Sequence, residues 1–245
     1  MTSKVESSYF DRPIRPEIVR DAPLLTLFLS GDAERLRRRI PGGLTLHAGT
    51  RLILNTWFLP NPDQMTGFGA PGPMGVTYLA AETGGEEGAT SDGSLHFPGR
   101  VWLEHRSSSA ASRRYALEAS GLKIREGETS SRLEGDFLRA SLHVDDRPVV
   151  AVSARIGLGK QATASGHSIY YAERDAAGGG RELARYEVPW ISDAYSAQDA
   201  VVDFTFPDED PALSFVSNGP QVVEAVSFRR ITLVPYLAYN TVRAI

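Results

Sequence analysis

Arg113 and Arg114 stand side by side in the stretch HRSSSAASRRYALEASG, residues 105 to 121. A guanidinium stays charged at neutral pH and donates forked hydrogen bonds to a carbonyl, enolate or carboxylate, but it is neither deprotonated nor nucleophilic. Glu104 and His105, at the head of the same stretch, add a carboxylate and an imidazole; if GRVWLEH is a strand, these neighbours point to opposite faces. These four residues form the candidate catalytic set, with His105 the first to test. The remaining histidines, His47, His96, His143 and His167, lack ligand spacing, so no metal site is expected. With no cysteine there is no thiolate nucleophile and no disulfide framework. Of the 26 basic residues only Lys4, Lys123 and Lys160 carry an amine. A G-x-S-x-G elbow, a P-loop, H-E-x-x-H and a dinucleotide fingerprint are all missing, and no cofactor is expected.

The bulk properties exclude other classes of function. A formal charge of −4 and a pI near 5.8 supply no electrostatic drive toward nucleic acid or anionic membranes. No apolar run approaches the ~18 residues of a membrane-spanning helix, and MTSKVESSYFDRPIRPE lacks a secretory core. A cytoplasmic protein with a small-molecule partner is expected.

The elements that must position these side chains are mostly strands. Residues 1–20, with Pro13 and Pro16 among charges, read as an arm, and 21–245 as a single domain. GDAERLRRRIP predicts a helix capped by Asp32, with Leu36 and Ile40 on one side and Pro41 as its stop. Beyond it the period is two: TRLILNTWFL, GVTYLAAE, GRVWLEH, YALEASGLKIRE, DFLRASLHV, SIYYAERD, RELARYEVPWI, DAVVDFTF and VEAVSFRRITLV alternate between turn residues. About ten antiparallel strands with one or two short helices predict a mostly β fold, a curved sheet or barrel. The arginine pair then falls between a strand ending near Arg106 and one beginning near Tyr115, at a barrel mouth where ligands bind. Trp57, Tyr78, Trp102, Tyr170, Tyr186 and Trp190 sit in strands, as core filler or as cavity lining. The loop 60–75, stiffened by prolines and carrying Met65, Phe68 and Met74, is long enough to cover a cavity; 83–94 reads as a polar excursion.

The order of these blocks, from AERLRRRIPGGLTL through GRVWLEH, SRRYAL and DFLRASLHV to the hairpin SIYYAERDAAGGGRELAR and VVEAVSFRRITLVPYLAYNTV, resembles the acetoacetate decarboxylase superfamily over residues 22–242. That resemblance implies a mostly antiparallel β-barrel-like fold with an internal cavity, often in homo-oligomers. It also implies a twin-lysine turn whose amine forms a Schiff base with a β-keto acid. Block for block, those lysines fall on Arg113 and Arg114, which cannot form an imine. The family's glutamate in the strand after the first helix is replaced near Asn55, and the following loop offers only Asp63.

The expectation is a divergent member that keeps the barrel and abandons the imine. It would be an enzyme of lyase or cyclase type in specialised metabolism, promoting cyclisation, elimination or a pericyclic step on a keto-containing or polyene substrate. Arg113 or Arg114 would grip the substrate oxygen, while Trp57, Asn55, Tyr78, Phe68, Met74 and Tyr115 shape the site. Two alternatives stay open: a non-catalytic binder of an acidic or keto ligand, and a Schiff-base decarboxylase using Lys123.

Overall fold

Alternation within the first strand sets the architecture. In the computed structural model, which describes residues 18–41, 44–46, 51–66, 73–85, 99–175, 180–206, 215–234 and 238–244, β1 (Ile18–Ser30) sends Leu25, Leu27 and Leu29 to one side and Leu24, Thr26 and Phe28 to the other. Both sides are covered, so the strand is apolar on both faces. Asp32 caps α1 (Ala33–Arg37) as expected, accepting from the backbone N–H groups of Glu34 and Arg35. There follow β2 (Leu44–Leu46), β3 (Arg51–Leu59), a 3-10 turn (Pro62–Gln64), β4 (Met65–Thr66), β5 (Met74–Gly85) and β6 (Gly99–Ser107). Next come α2 (Ala110–Ser120), β7 (Arg125–Glu126), β8 (Glu128–Glu134), β9 (Phe137–Val144) and the two longest strands, β10 (Arg147–Asp175) and β11 (Arg181–Phe204). β12 (Gly219–Pro220), β13 (Val223–Leu233) and β14 (Ala238–Ala244) complete the order.

The pairing β11–β13–β1–β3–β5–β6–β10 closes on itself because β10 also pairs with β11, making a seven-membered ring. Its joints are antiparallel except the short parallel contact of β6 with β10. The first half of β10 and the second half of β11 run beyond the ring and form a second sheet with β9 and β8. This sheet folds over the outside of the barrel. Leu25, Leu27, Leu52, Leu54 and Leu79 from the barrel wall meet Leu138, Leu142, Val150, Val152 and Phe204 in the main core. β3 explains why its sequence hardly alternates: Leu52 and Leu54 face this core while Asn55 and Trp57 face the barrel interior.

Gly75 marks where the second sheet crosses the wall most closely. A Cβ there would lie 2.4 Å from the Thr129 carbonyl oxygen of β8. Gly75→Ala is therefore expected to lower stability by about 1–3 kcal/mol through overpacking, read as a lower urea midpoint at unchanged slope.

Two expectations are corrected. YALEASG is helix rather than strand: Ser109 caps α2 by accepting from the Ser112 N–H, and Gly121, at φ 68°, ends it by donating its N–H to the Leu117 carbonyl. Strand β1 begins at Ile18, inside the span read as an arm; residues 1–17 lie outside the described set. Among the described residues no helix is long and apolar enough to cross a membrane.

Candidate functional site

The interior of the ring holds a cavity of about 180 Å³. Its most ordered feature is a polar row running across five neighbouring strands. Ser227 on β13 pairs with Thr26, Thr26 with Asn55, Asn55 with Tyr78, and Tyr78 with His105, and all five line the cavity. Directly opposed residues share a face of the sheet, with Cβ atoms only ~5 Å apart. Within the row the Thr26 hydroxyl donates to Asn55 Oδ1 at 2.6 Å. Asn55 is 1% exposed, yet among the described residues its Nδ2 has no hydrogen-bond partner, and neither has Nδ1 of His105.

His105 reaches the cavity because β6 contains a bulge. Leu79 pairs with Glu104 and Ala80 with Trp102, which leaves Leu103 without an opposite number. The extra residue shifts the phase of alternation, so Arg100, Trp102 and His105 all face inward although the last two are three apart. Trp102 stacks on Tyr170 with centroids 4.4 Å apart, and Tyr78 packs edge-on to both. Burial pushes the His105 imidazole down to about 3, so it is neutral at physiological pH.

Two guanidiniums complete the lining. Arg100 donates to the Tyr170 hydroxyl at 3.4 Å, which in turn shares a hydrogen bond with the Tyr78 hydroxyl at 2.9 Å. Burial opposes the charge on Arg100, but the Tyr170 and Tyr78 hydroxyls and the Glu82 carboxylate outweigh it and hold its pKa above the ordinary arginine value. Arg229 lies over the Trp190 ring at 5.3 Å and touches the Ser192 and Ser227 hydroxyls at 3.4 Å. Among the described residues that line the cavity there is no carboxylate and no lysine.

Of the residues singled out in the sequence, His105, Asn55, Trp57, Tyr78, Trp102, Tyr170 and Trp190 are brought together here. The others are placed elsewhere. Arg113 sits on α2 with its guanidinium on the Ser107 carbonyl at 2.7 Å and on Glu126 at 3.2 Å, and Arg114 is exposed on the same helix. Neither lines the cavity, because α2 turns Ala116 toward Tyr170 and Tyr186 and leaves its arginines on other faces. Tyr115 shares that helix and is also absent from the lining. Glu104 faces away from the cavity, in an ion pair with Arg106 at 2.6 Å and with Arg125 at 3.3 Å. Met74 is buried in a core cluster with Val19, Leu59 and Ile231. Phe68 lies outside the described residues. Lys123 is 65% exposed in an ion pair with Asp175, and Lys160 is paired with Asp193, so neither amine reaches the interior.

Arg100 and Arg229 are the residues that sequence reasoning missed. Their signal is alternation: Arg229 shares a face with Ser227, Ile231 and Leu233, and Arg100 with Trp102, a lone cation on an otherwise apolar or small face.

No protein-family model and no curated sequence matches the chain. Solved structures do. Acetoacetate decarboxylase from Legionella pneumophila superposes with a TM-score of 0.70 at 12% identity, covering 96% of each chain. The enduracididine biosynthesis enzyme MppR, complexed with pyruvate, gives 0.64 at 12% identity over 99% of this chain and 95% of that one. An acetoacetate decarboxylase-like enzyme from Sphingomonas wittichii RW1 gives 0.59 at 12% identity over 94% and 92%. Likeness over nearly the whole of each chain shows that this protein has the fold of acetoacetate decarboxylase and of acetoacetate decarboxylase-like enzymes.

Proposed function

We propose that the chain is a small-molecule enzyme acting on a keto-containing acid inside the barrel, by a cyclisation or elimination that proceeds through an enolate and not an imine. The observation that carries this reading is that Asn55 and His105, each with a buried nitrogen lacking a hydrogen-bond partner among the described residues, line the cavity in one row beside two guanidiniums. With its proton on Nε2, His105 offers the Nδ1 lone pair to a proton on the carbon next to the substrate carbonyl. The C–H electron pair becomes the new C=C bond and the carbonyl π pair moves to oxygen. Asn55 Nδ2 donates to that oxygen, and a guanidinium holds the acid group. The proton on His105 then returns to carbon or to a departing oxygen. A bound anion also raises the basicity that burial suppresses. The absence of lysine from the described lining removes support for Lys123 as a nucleophile.

The test uses pyruvate, acetoacetate and 2-oxoglutarate in D₂O, followed by proton NMR and by mass. Loss of the signal from carbon-bound protons next to the carbonyl, faster than in buffer, with no borohydride-trapped adduct on the protein, is the expected result. A trapped adduct on any lysine would sink the imine-free mechanism. Saturable binding with neither exchange nor new product would leave the chain a binder.

A further inference from the structure

We infer that the natural ligand of the cavity carries two anionic groups, as a short dicarboxylate does, held between Arg100 and Arg229. This rests on the reading that the barrel takes an acid, and adds to it the second charge. The two arginines stand on strands that are as far apart as the ring allows: β6 and β13 are separated by three steps through β10 and β11, or four through β5, β3 and β1. They line one cavity from opposite walls.

Among the described residues both retain unused donors. A guanidinium has five N–H groups. Arg229 spends two of its nitrogens on long contacts to Ser192 and Ser227, and has no carboxylate partner among the described residues. Among the described residues Arg100 makes one hydrogen bond, of 3.4 Å, to Tyr170. Glu82, cross-strand from Arg100, is claimed by Arg51, whose Nε and Nη2 donate to its two oxygens at 3.1 and 3.0 Å. A monoacid on Arg100 would leave Arg229 facing a partly desolvated cavity with no carboxylate partner among the described residues, and one on Arg229 would leave Arg100 only the carboxylate of Glu82, which Arg51 already holds. A diacid neutralises both, through charge-assisted and forked hydrogen bonds.

Calorimetric titration of the unaltered protein with succinate, glutarate and adipate, each beside the monoacid of the same length, tests this. At least one diacid is expected to bind on the order of ten-fold more tightly than its monoacid, from one added charge-assisted contact. Arg100→Met and Arg229→Met should each erase that preference, whereas Arg100→Lys and Arg229→Lys, checked for folding by circular dichroism, should keep part of it. Monoacids binding as tightly as diacids, or a preference that survives either methionine substitution, overturns the second anionic site and leaves the acid-binding reading standing. If neither acids nor oxo acids bind, both fall. The comparison on the unaltered protein requires no variant, so a substitution that fails to fold does not protect the idea.

Discussion

Glu104→Ala is expected to destabilise the protein by about 3–5 kcal/mol, the range for removing one partner of a buried ion pair. Glu104 and Arg106 are 7% and 4% exposed, and the side chain of Arg106 also reaches the Glu126 carbonyl at 2.7 Å. Without the carboxylate the Arg106 charge stays in the layer between the barrel wall and the second sheet, where it cannot be hydrated. Glu104 and His105 are sequence neighbours on opposite faces of β6, so the loss is one of stability and not of ligand affinity. Urea unfolding checks the first part, and acid binding by the folded fraction the second. A variant of unchanged stability that has lost proton exchange would return Glu104 to the catalytic set.

His105→Gln has two expected effects. Proton exchange on the oxo acid should fall by about 10²–10⁴-fold, the usual contribution of a positioned base. Stability should also become less sensitive to acid. The unfolded chain binds a proton on this imidazole near 6.5, while the folded protein binds it only near 3. Between those values the unfolded state holds more protons, so stability falls as pH falls. One pKa unit corresponds to about 1.4 kcal/mol, so from pH 6.5 to 4.5 the native protein should lose ~2.5 kcal/mol more than the glutamine variant. Carboxylates such as Asp32 and Asp193, whose pKa values are also lowered in the fold, titrate equally in both proteins and cancel in the comparison. Parallel pH profiles for the two proteins would show that His105 is not buried as described.

Much of the frame was legible because period-two alternation survives wherever one face of a strand differs from the other. The helix α2 was not, for a local reason. YALEASG alternates like a strand, but Ser109 and Gly121 stand at the two ends of an alanine-rich run and supply the cap and the left-handed terminator that a helix needs. Reading the caps before the alternation would have moved Arg113 and Arg114 off the barrel mouth. The bulge at Leu103 had no comparable sign; it is visible only in the mismatch between β5 and β6.

By itself, then, the sequence determined a β-rich chain without cysteine and with three lysines, carrying a histidine and an asparagine inside strands. Alternation says which residues share a face; it does not say which face becomes interior. That choice fell to the tertiary structure, when β10 paired with β11 to close the ring and the second sheet covered the outer wall. Closure placed Ser227 opposite Thr26 and turned Arg100 and Arg229 toward one cavity, joining residues whose strands are distant in the chain. The physical reason is that burial is a property of what packs on a strand, and the strand's own residues specify only the two faces offered.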